Sequence, residues 1–570
     1  MSNARSAPRP SALVEDLSRV LRSFGPDAAS AKRHLIEQLA SCQRLPARSL
    51  ARLHDCLCFL QAYPDDARVL KAAQSLVPRL REWIALLPEG EETPSLVDQG
   101  FPGGVNRHPF SYAVLRQMAA WHPDCLEVEW EECEDEMPIQ NALVLLVSNN
   151  ECQGLDDIRL TMSSWAAACK VDPGQSDLQL LLRIFEGAPL RLEERAWLYD
   201  SCVLPTRYRL ADPGTGRAEI RLDARRIQYQ RSAMTRTNQA LEHSIRQEFD
   251  SVRPLRKEDG EALIRVALQA LCARNLEIAT LMHAHAEDCF VLDCSRGLRV
   301  ALIGVTPDIR DTLESSYFFL VLKNEIPIAY GPASLCMGCC EMGINLFPEY
   351  RGGEIRLIYA EFMRALYQVL GVRYFYLTDY GMGVGNPEAI RTGAFWFYRK
   401  LGFHAENPEV ETLAQEEEAR MSVDPRHRSD RRMLERLSHT YAFLDTSGGT
   451  CHRLDLGRIG LAQSRFIARS FDGDRPRAIR ECSARIADFL GVEDLATWPR
   501  DQRRALELYA PVLCMIPDLT SWNSNARKAL LAIIRSKGSR TESQVDRLVL
   551  RHAKLCQALR RLAESGDGLR

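Results

Sequence analysis

The sequence predicts an α/β unit built on a mixed α+β sheet, flanked by regions that are mostly α-helical. Three observations predict it. The stretch 340–407 runs strand, glycine turn, helix, strand and helix, and closes on Gly402-Phe403. Apolar residues spaced by three and four dominate 11–88 and return after about residue 464. The chain has 570 residues, too many for one ordinary core. Four regions result: helical 1–95, mixed or helical 96–250 with no assigned role, the α/β unit 251–407, and helical 408–570.

In the first region the helical face is carried by Leu50, Leu53, Leu57, Phe59 and Leu60, then Val69, Leu70, Leu76, Leu80 and Trp83, with Pro64 and Pro88 as breaks. The polar, Gly/Pro-rich segment 87–104 reads as a linker. In the second region a helix over 111–121 leads to a strand over 126–130, whose glutamates face out. Helices are expected around 156–169 and 176–185, and the charged stretch 217–250 also reads as helical.

In the third region a helix is expected over 258–284. Strands are expected at 300–305, 317–323 and 326–330, the last two joined by a tight Asn324-Glu325 hairpin. A strand over 340–347 enters the glycine turn. A helix over 354–370, apolar at Ile355, Ile358, Tyr359, Phe362, Met363, Leu366 and Val369, stops at Gly371. A strand at 374–378 and a helix ending near Leu401 follow. After Phe403 the chain reads as helical, with a solvated connector of acidic residues (Glu416, Glu417, Glu418) and basic ones (Arg426, Arg428, Arg431, Arg432).

Apolar residues are 46% of the chain and charged ones 26%, as in soluble globular proteins, and the net charge is only -3. Nothing global points to nucleic acid or a membrane surface. No apolar run approaches the ~18 residues that span a bilayer. Eighteen scattered cysteines, no paired CxxC knuckles and a polar start without a leader pattern lead us to expect reduced, buried thiols in a cytoplasmic protein.

The chemistry concentrates in two segments. Phe347-Pro348-Glu349-Tyr350-Arg351-Gly352-Gly353 is a turn between strand and helix. A helix start carries unpaired N–H groups and a partial positive charge. Gly352 and Gly353 leave that backbone open, Arg351 adds a full charge, and the amides near Glu354 and Ile355 would face an anion such as a diphosphate. The second segment, Asn386 to Phe403, places Tyr398 on a following helix as a proton donor.

The turn, together with Tyr398-Arg399-Lys400-Leu401-Gly402-Phe403, resembles the GNAT acyltransferase superfamily over roughly 251–407. That resemblance implies a GNAT-like domain whose turn holds the diphosphate of acyl-coenzyme A or acetyl-coenzyme A. It also implies that Tyr398 protonates the departing thiolate. The match departs from the family pattern at Glu354 and Arg356, where the family has small residues, and Gly353 falls one place early. Arg391 stands where an asparagine is often found, with Asn386 a little upstream as the substitute contact. For acyl transfer, a backbone N–H near Asn345 or Leu346, on the strand ending at Phe347, would polarise the thioester, and Glu341 would deprotonate the amine.

Other clusters read as structural. Cys336, Cys339 and Cys340 beside Glu341 have no partnering histidine, so no metal is expected. His283 and His285 share a face only on a strand, and their segment reads as helical. Asp379-Tyr380 is placed to line the substrate side. The first expectation is therefore an acyl-coenzyme A dependent N-acyltransferase acting on a small-molecule or protein amine, its helical flanks shaping the acceptor site or a homo-oligomer. The alternatives are a catalytically degenerate GNAT-fold binding module and a Fem-type transferase with an aminoacyl-tRNA donor. Nucleic acid remains open only through the basic C-terminal helices, from Arg527 to Arg561.

Overall fold

A computed structural model describes residues 9–87, 96–156, 159–172, 174–223, 226–234, 241–250, 252–352 and 354–564. The expected N-terminal helices are Pro10–Val20, Pro26–Ala40, Ala47–Ala62 and Ala67–Ala85. Prolines open the first two, where the missing N–H costs nothing. Asp66 caps the fourth by accepting from the amides of Arg68 and Val69. A wholly buried Lys32–Asp65 pair at 2.8 Å ties this bundle together.

The second region carries a small antiparallel sheet of β1 (Val105–His108), β2 (Leu126–Val128) and β3 (Thr206–Arg209), in the order β1-β3-β2. Leu126 and Val128 point inward and Glu127 outward, as expected, but the strand stops at Val128. Two glutamates of the acidic run pair with arginines of the same sheet, Glu127 with Arg207 of β3 and Glu129 with Arg107 of β1.

The expected helix over 217–250 is corrected: only Leu241–Arg246 is helical among its described residues. Its charges mimic helical spacing, but its backbone bonds to other elements. Leu222 N–H donates to the Glu325 carbonyl (3.0 Å), and Gln230 N–H to that of Pro64 (2.7 Å). The segment is a strap between the N-terminal helices and the main sheet.

That sheet comprises β4 (Ala284–Asp293), β5 (Leu298–Val305), β6 (Ser315–Lys323), β7 (Ile326–Cys336), β8 (Cys339–Met342), β9 (Asn345–Leu346), β10 (Tyr374–Leu377), β11 (His404–Ala405) and β12 (Ala442–Asp445). The order is β11-β12-β10-β8-β7-β6-β5-β4, with β9 also on β7. Every pairing is antiparallel except β8 with β10. Asn324 and Glu325 form the expected two-residue hairpin, both at positive φ (+50° and +68°), between paired Lys323 and Ile326. A second such hairpin, Met337-Gly338, joins β7 to β8.

Four further expectations are corrected. The helix Lys257–Cys272 ends twelve residues early, and the chain enters β4 at Ala284, so His285 lies on a strand. The strand expected over 340–347 is divided into β8 and β9. The sheet continues past residue 407, because β12 inserts between β10 and β11. The connector before β12 is not fully solvated: Glu417 is buried and accepts from Ser429 at 2.6 Å.

Phe319 of β6 stacks on Phe362 of the helix Ile355–Ala365, with centroids 3.7 Å apart. Its neighbour Phe318 faces the other way, toward Tyr330, Phe347 and Arg274 just beyond the helix Lys257–Cys272. One apolar core runs from Leu13 to Leu444 and so unites the first three regions with the start of the fourth. A second, from Cys336 to Ala563, belongs to the C-terminal helices and includes Met337 of the hairpin. Buried charges join the two. Arg310 donates to Asp288 (3.3 Å) and to the Lys537 carbonyl (2.8 Å), and Asp546 accepts from Gly338 N–H at 2.7 Å. Among the described residues no helix is long and apolar enough to cross a membrane.

Candidate functional site

The site is built around the one parallel pair. β8 and β10 are paired at Cys339–Tyr374, Cys340–Phe375 and Glu341–Tyr376, and there the pairing stops. β8 continues as β9, which stays in register with β7: Ala333 opposes Met342, and Ala329 opposes Leu346. β10 is not paired with β9, so the sheet opens between them. Phe347 N–H donates to Ile328 on β7 (3.0 Å). Strand alternation therefore turns the N–H of Leu346, the residue before, toward the open edge. The Leu346 carbonyl on that edge accepts from Arg351 Nε at 3.3 Å. Asn345 is exposed, while the Phe347 ring is buried between Tyr330 and the Arg274 guanidinium.

Beyond β9 the chain makes one tight turn, Pro348–Tyr350, and then opens the helix at Ile355. Gly352 has φ +83°, a conformation that glycine adopts without strain, and a side chain there would meet only Arg22 Nη1, at 3.8 Å. Gly353 lies outside the described residues. Arg351 is exposed and bonds Glu388 at 2.9 Å. The turn is anchored from below by buried Glu349, which pairs with Arg274 and, at 3.6 Å, with Arg217. Burial acts to raise its pKa, but these two arginines hold the carboxyl below its usual range.

Glu354 resolves the departure seen in the sequence. Its side chain neither caps the helix nor points to solvent. It is buried and paired with Lys323 (3.2 Å) and Arg296 (3.2 Å), so its charge is neutralised away from the turn. The helix entrance is left with Arg22, Arg351 and Arg356 around half-exposed first-turn residues. Asn386 caps the helix Pro387–Thr392 by accepting from Ala389 N–H (3.2 Å), so its carboxamide has a structural task.

Tyr398, on the helix Ala394–Lys400, is brought to the helix that opens the turn: its hydroxyl lies 2.7 Å from that of Tyr359. Tyr359 is four residues past Ile355, about 6 Å along the axis. Both phenols are buried, with Phe397 and Phe403 around Tyr398, so the hydroxyl does not stand in an open cleft. Burial raises the Tyr398 pKa, and the bond to Tyr359 opposes that rise.

Glu341 and Tyr376 sit at the root of the opening, on the face opposite the helix Ile355–Ala365. Tyr376 stands opposite Glu341 across the β8–β10 pair, and Glu341 is exposed. Partial desolvation raises its pKa, with Arg453 and Tyr376 pulling the other way. A carboxylate so placed can take a proton from an amine.

Sequence reasoning missed Arg22, Lys323, Arg296 and Tyr359. The first three are distant in the chain from the turn, and Tyr359 looked like one apolar position of a helix face. The thiols of Cys336, Cys339 and Cys340 are buried, and among the described residues no group of three or more His, Cys, Asp or Glu is arranged to hold a metal ion. Tyr380 is exposed beyond β10. Neither a family model, nor a curated protein sequence, nor a solved structure matches this chain.

Proposed function

We propose that the protein is a GNAT-like N-acyltransferase that moves an acyl group from acyl-coenzyme A to an amine. The observation that carries this reading is the opening of the sheet between β9 and β10, with the Leu346 N–H on its edge and a helix entrance beside it. A carbonyl oxygen lodged in such an opening meets a backbone donor fixed before the reaction begins, which lowers the barrier without reorganisation. The helix entrance suits a diphosphate, since Glu354 is neutralised and Arg22 and Arg351 stand around it. Glu341 then serves as the base for the amine. Tyr398 gives a proton to the departing thiolate once a shift of the helix Ala394–Lys400 uncovers its hydroxyl, with Tyr359 donating to the phenolate that results.

A second reading, a non-catalytic binding module of the same fold, is favoured by the enclosure of the Tyr398 hydroxyl. Thiol release from acetyl-coenzyme A in the presence of primary amines separates the two. Amine-dependent release is expected, and Tyr398→Phe should lower turnover on the order of 100-fold while leaving acetyl-coenzyme A affinity nearly unchanged. Tyr359→Phe should lower it by less. Release that no amine accelerates would assign the second reading.

A further inference from the structure

The face of β10 and β12 turned away from the helix Ile355–Ala365 carries a row of partly exposed aromatic rings with a cation on top. Tyr376 and Tyr441 lie nearly parallel, 4° apart in plane with centroids separated by 6.4 Å. The Arg453 guanidinium stands over Tyr441 at 4.4 Å and over Tyr376 at 5.7 Å. Glu406 pairs with it at 3.1 Å, and the guanidinium charge also favours the ionised form of Glu341, the β8 residue opposite Tyr376. Ring faces and carboxylates around one position form an arrangement selective for a cation.

The resident cation is loosely held. Arg453 belongs to the irregular segment 446–455, which follows β12 and contains Gly448 and Gly449 at positive φ. Its side chain is 36% exposed and its partner Glu406 41%, so water competes for this ion pair. The segment supplies one cation, placed over Tyr376 of β10 and over Tyr441, the residue before β12.

We propose that this cage is a binding site for an external guanidinium or alkylammonium group, and that Arg453 is its internal competitor. A basic ligand enters as Arg453 swings out, and its charge then rests on Tyr376 and Tyr441 beside Glu341. Because Glu341 is the last residue of β8 paired with β10, a cation in the cage is at the root of the sheet opening. The inference concerns binding and stands apart from acyl transfer: thiol release can fail in the assay above while the cation still binds.

Calorimetric titration of the full chain with butylguanidinium, and with butylurea as its neutral counterpart, tests it. Arg453→Ala should tighten butylguanidinium binding at least tenfold over the unsubstituted protein and leave butylurea unbound. Arg453→Gln, which keeps length and polarity, should act in the same direction and serves if the alanine variant melts early. Tyr441→Ala added to either variant should abolish the gain. Unchanged or weaker butylguanidinium binding in both Arg453 variants would overturn the proposal, as would equal binding of butylurea.

Discussion

At the scale of single residues, Glu354 bears on whether the proposed anion site can work. Read in the sequence, a carboxylate at the mouth of an anion site repels the anion. In the fold it is buried against Lys323, whose side chain is itself only 1% exposed. Removing one member of such a pair strands the other in a poor solvent, at about 3–5 kcal/mol. Glu354→Gln should therefore lower stability by roughly that amount, read as a shift in the urea midpoint. A change under about 0.5 kcal/mol would show that the Arg296 carbonyl, to which Lys323 Nζ also donates at 2.8 Å, holds the ammonium without the Glu354 charge. None of this was legible, because Lys323 is 31 residues away and Arg296 is 58, and neither position announces a bond to a helix start. Tyr398 was legible as a neighbour of the turn, since the order of strands and helices dictates it. Its enclosure by Tyr359 was not.

At the scale of elements, local chemistry could be read and long-range pairing could not. Asn324-Glu325 and the helix stop at Gly371 follow from turn and cap residues next to each other in the chain. The division of one expected strand into β8 and β9 depends on Gly331 of β7. A side chain there would lie 1.8 Å from the Gly343 carbonyl oxygen and 2.8 Å from the Phe319 ring. Backbone passes over that glycine, and the strand opposite is bent away from β10. Gly331→Ala should cost about 1–3 kcal/mol and displace β9, so that amide exchange at Leu346 and Phe347 speeds up. Unaltered exchange would separate the bend from that glycine. β12 escaped detection because it is four residues long and follows a run of charge, and its place between β10 and β11 is set by pairing alone. The strap over 217–234 was misread for a related reason, since its charged spacing fits a helix while its bonds go elsewhere.

At the scale of the whole molecule, the C-terminal helices are joined to the main sheet through buried charges that titrate near neutrality. Burial pushes the Asp288 carboxyl up to about 6, against Arg310 and the Glu542 N–H. It pushes Asp546 up to about 7, against the Gly338 and Met337 amides and Lys537. Both carboxyls bind protons more tightly folded than unfolded, where the value is 3.8. Their contribution is greatest below about pH 4 and declines as pH rises through 6 to 7. Asp546→Asn, which cannot ionise, should therefore gain stability relative to the unsubstituted protein between pH 5 and pH 8 in urea unfolding. A difference that is constant with pH would mean Asp546 keeps one protonation state throughout.

The proposed acyl-coenzyme A site rests on the opening between β9 and β10 and on the helix entrance at Gly352. Calorimetric titration of acetyl-coenzyme A into the intact protein tests them most directly. We predict saturable one-site binding in the micromolar range; no heat with acetyl-coenzyme A or with longer acyl chains would contradict the account.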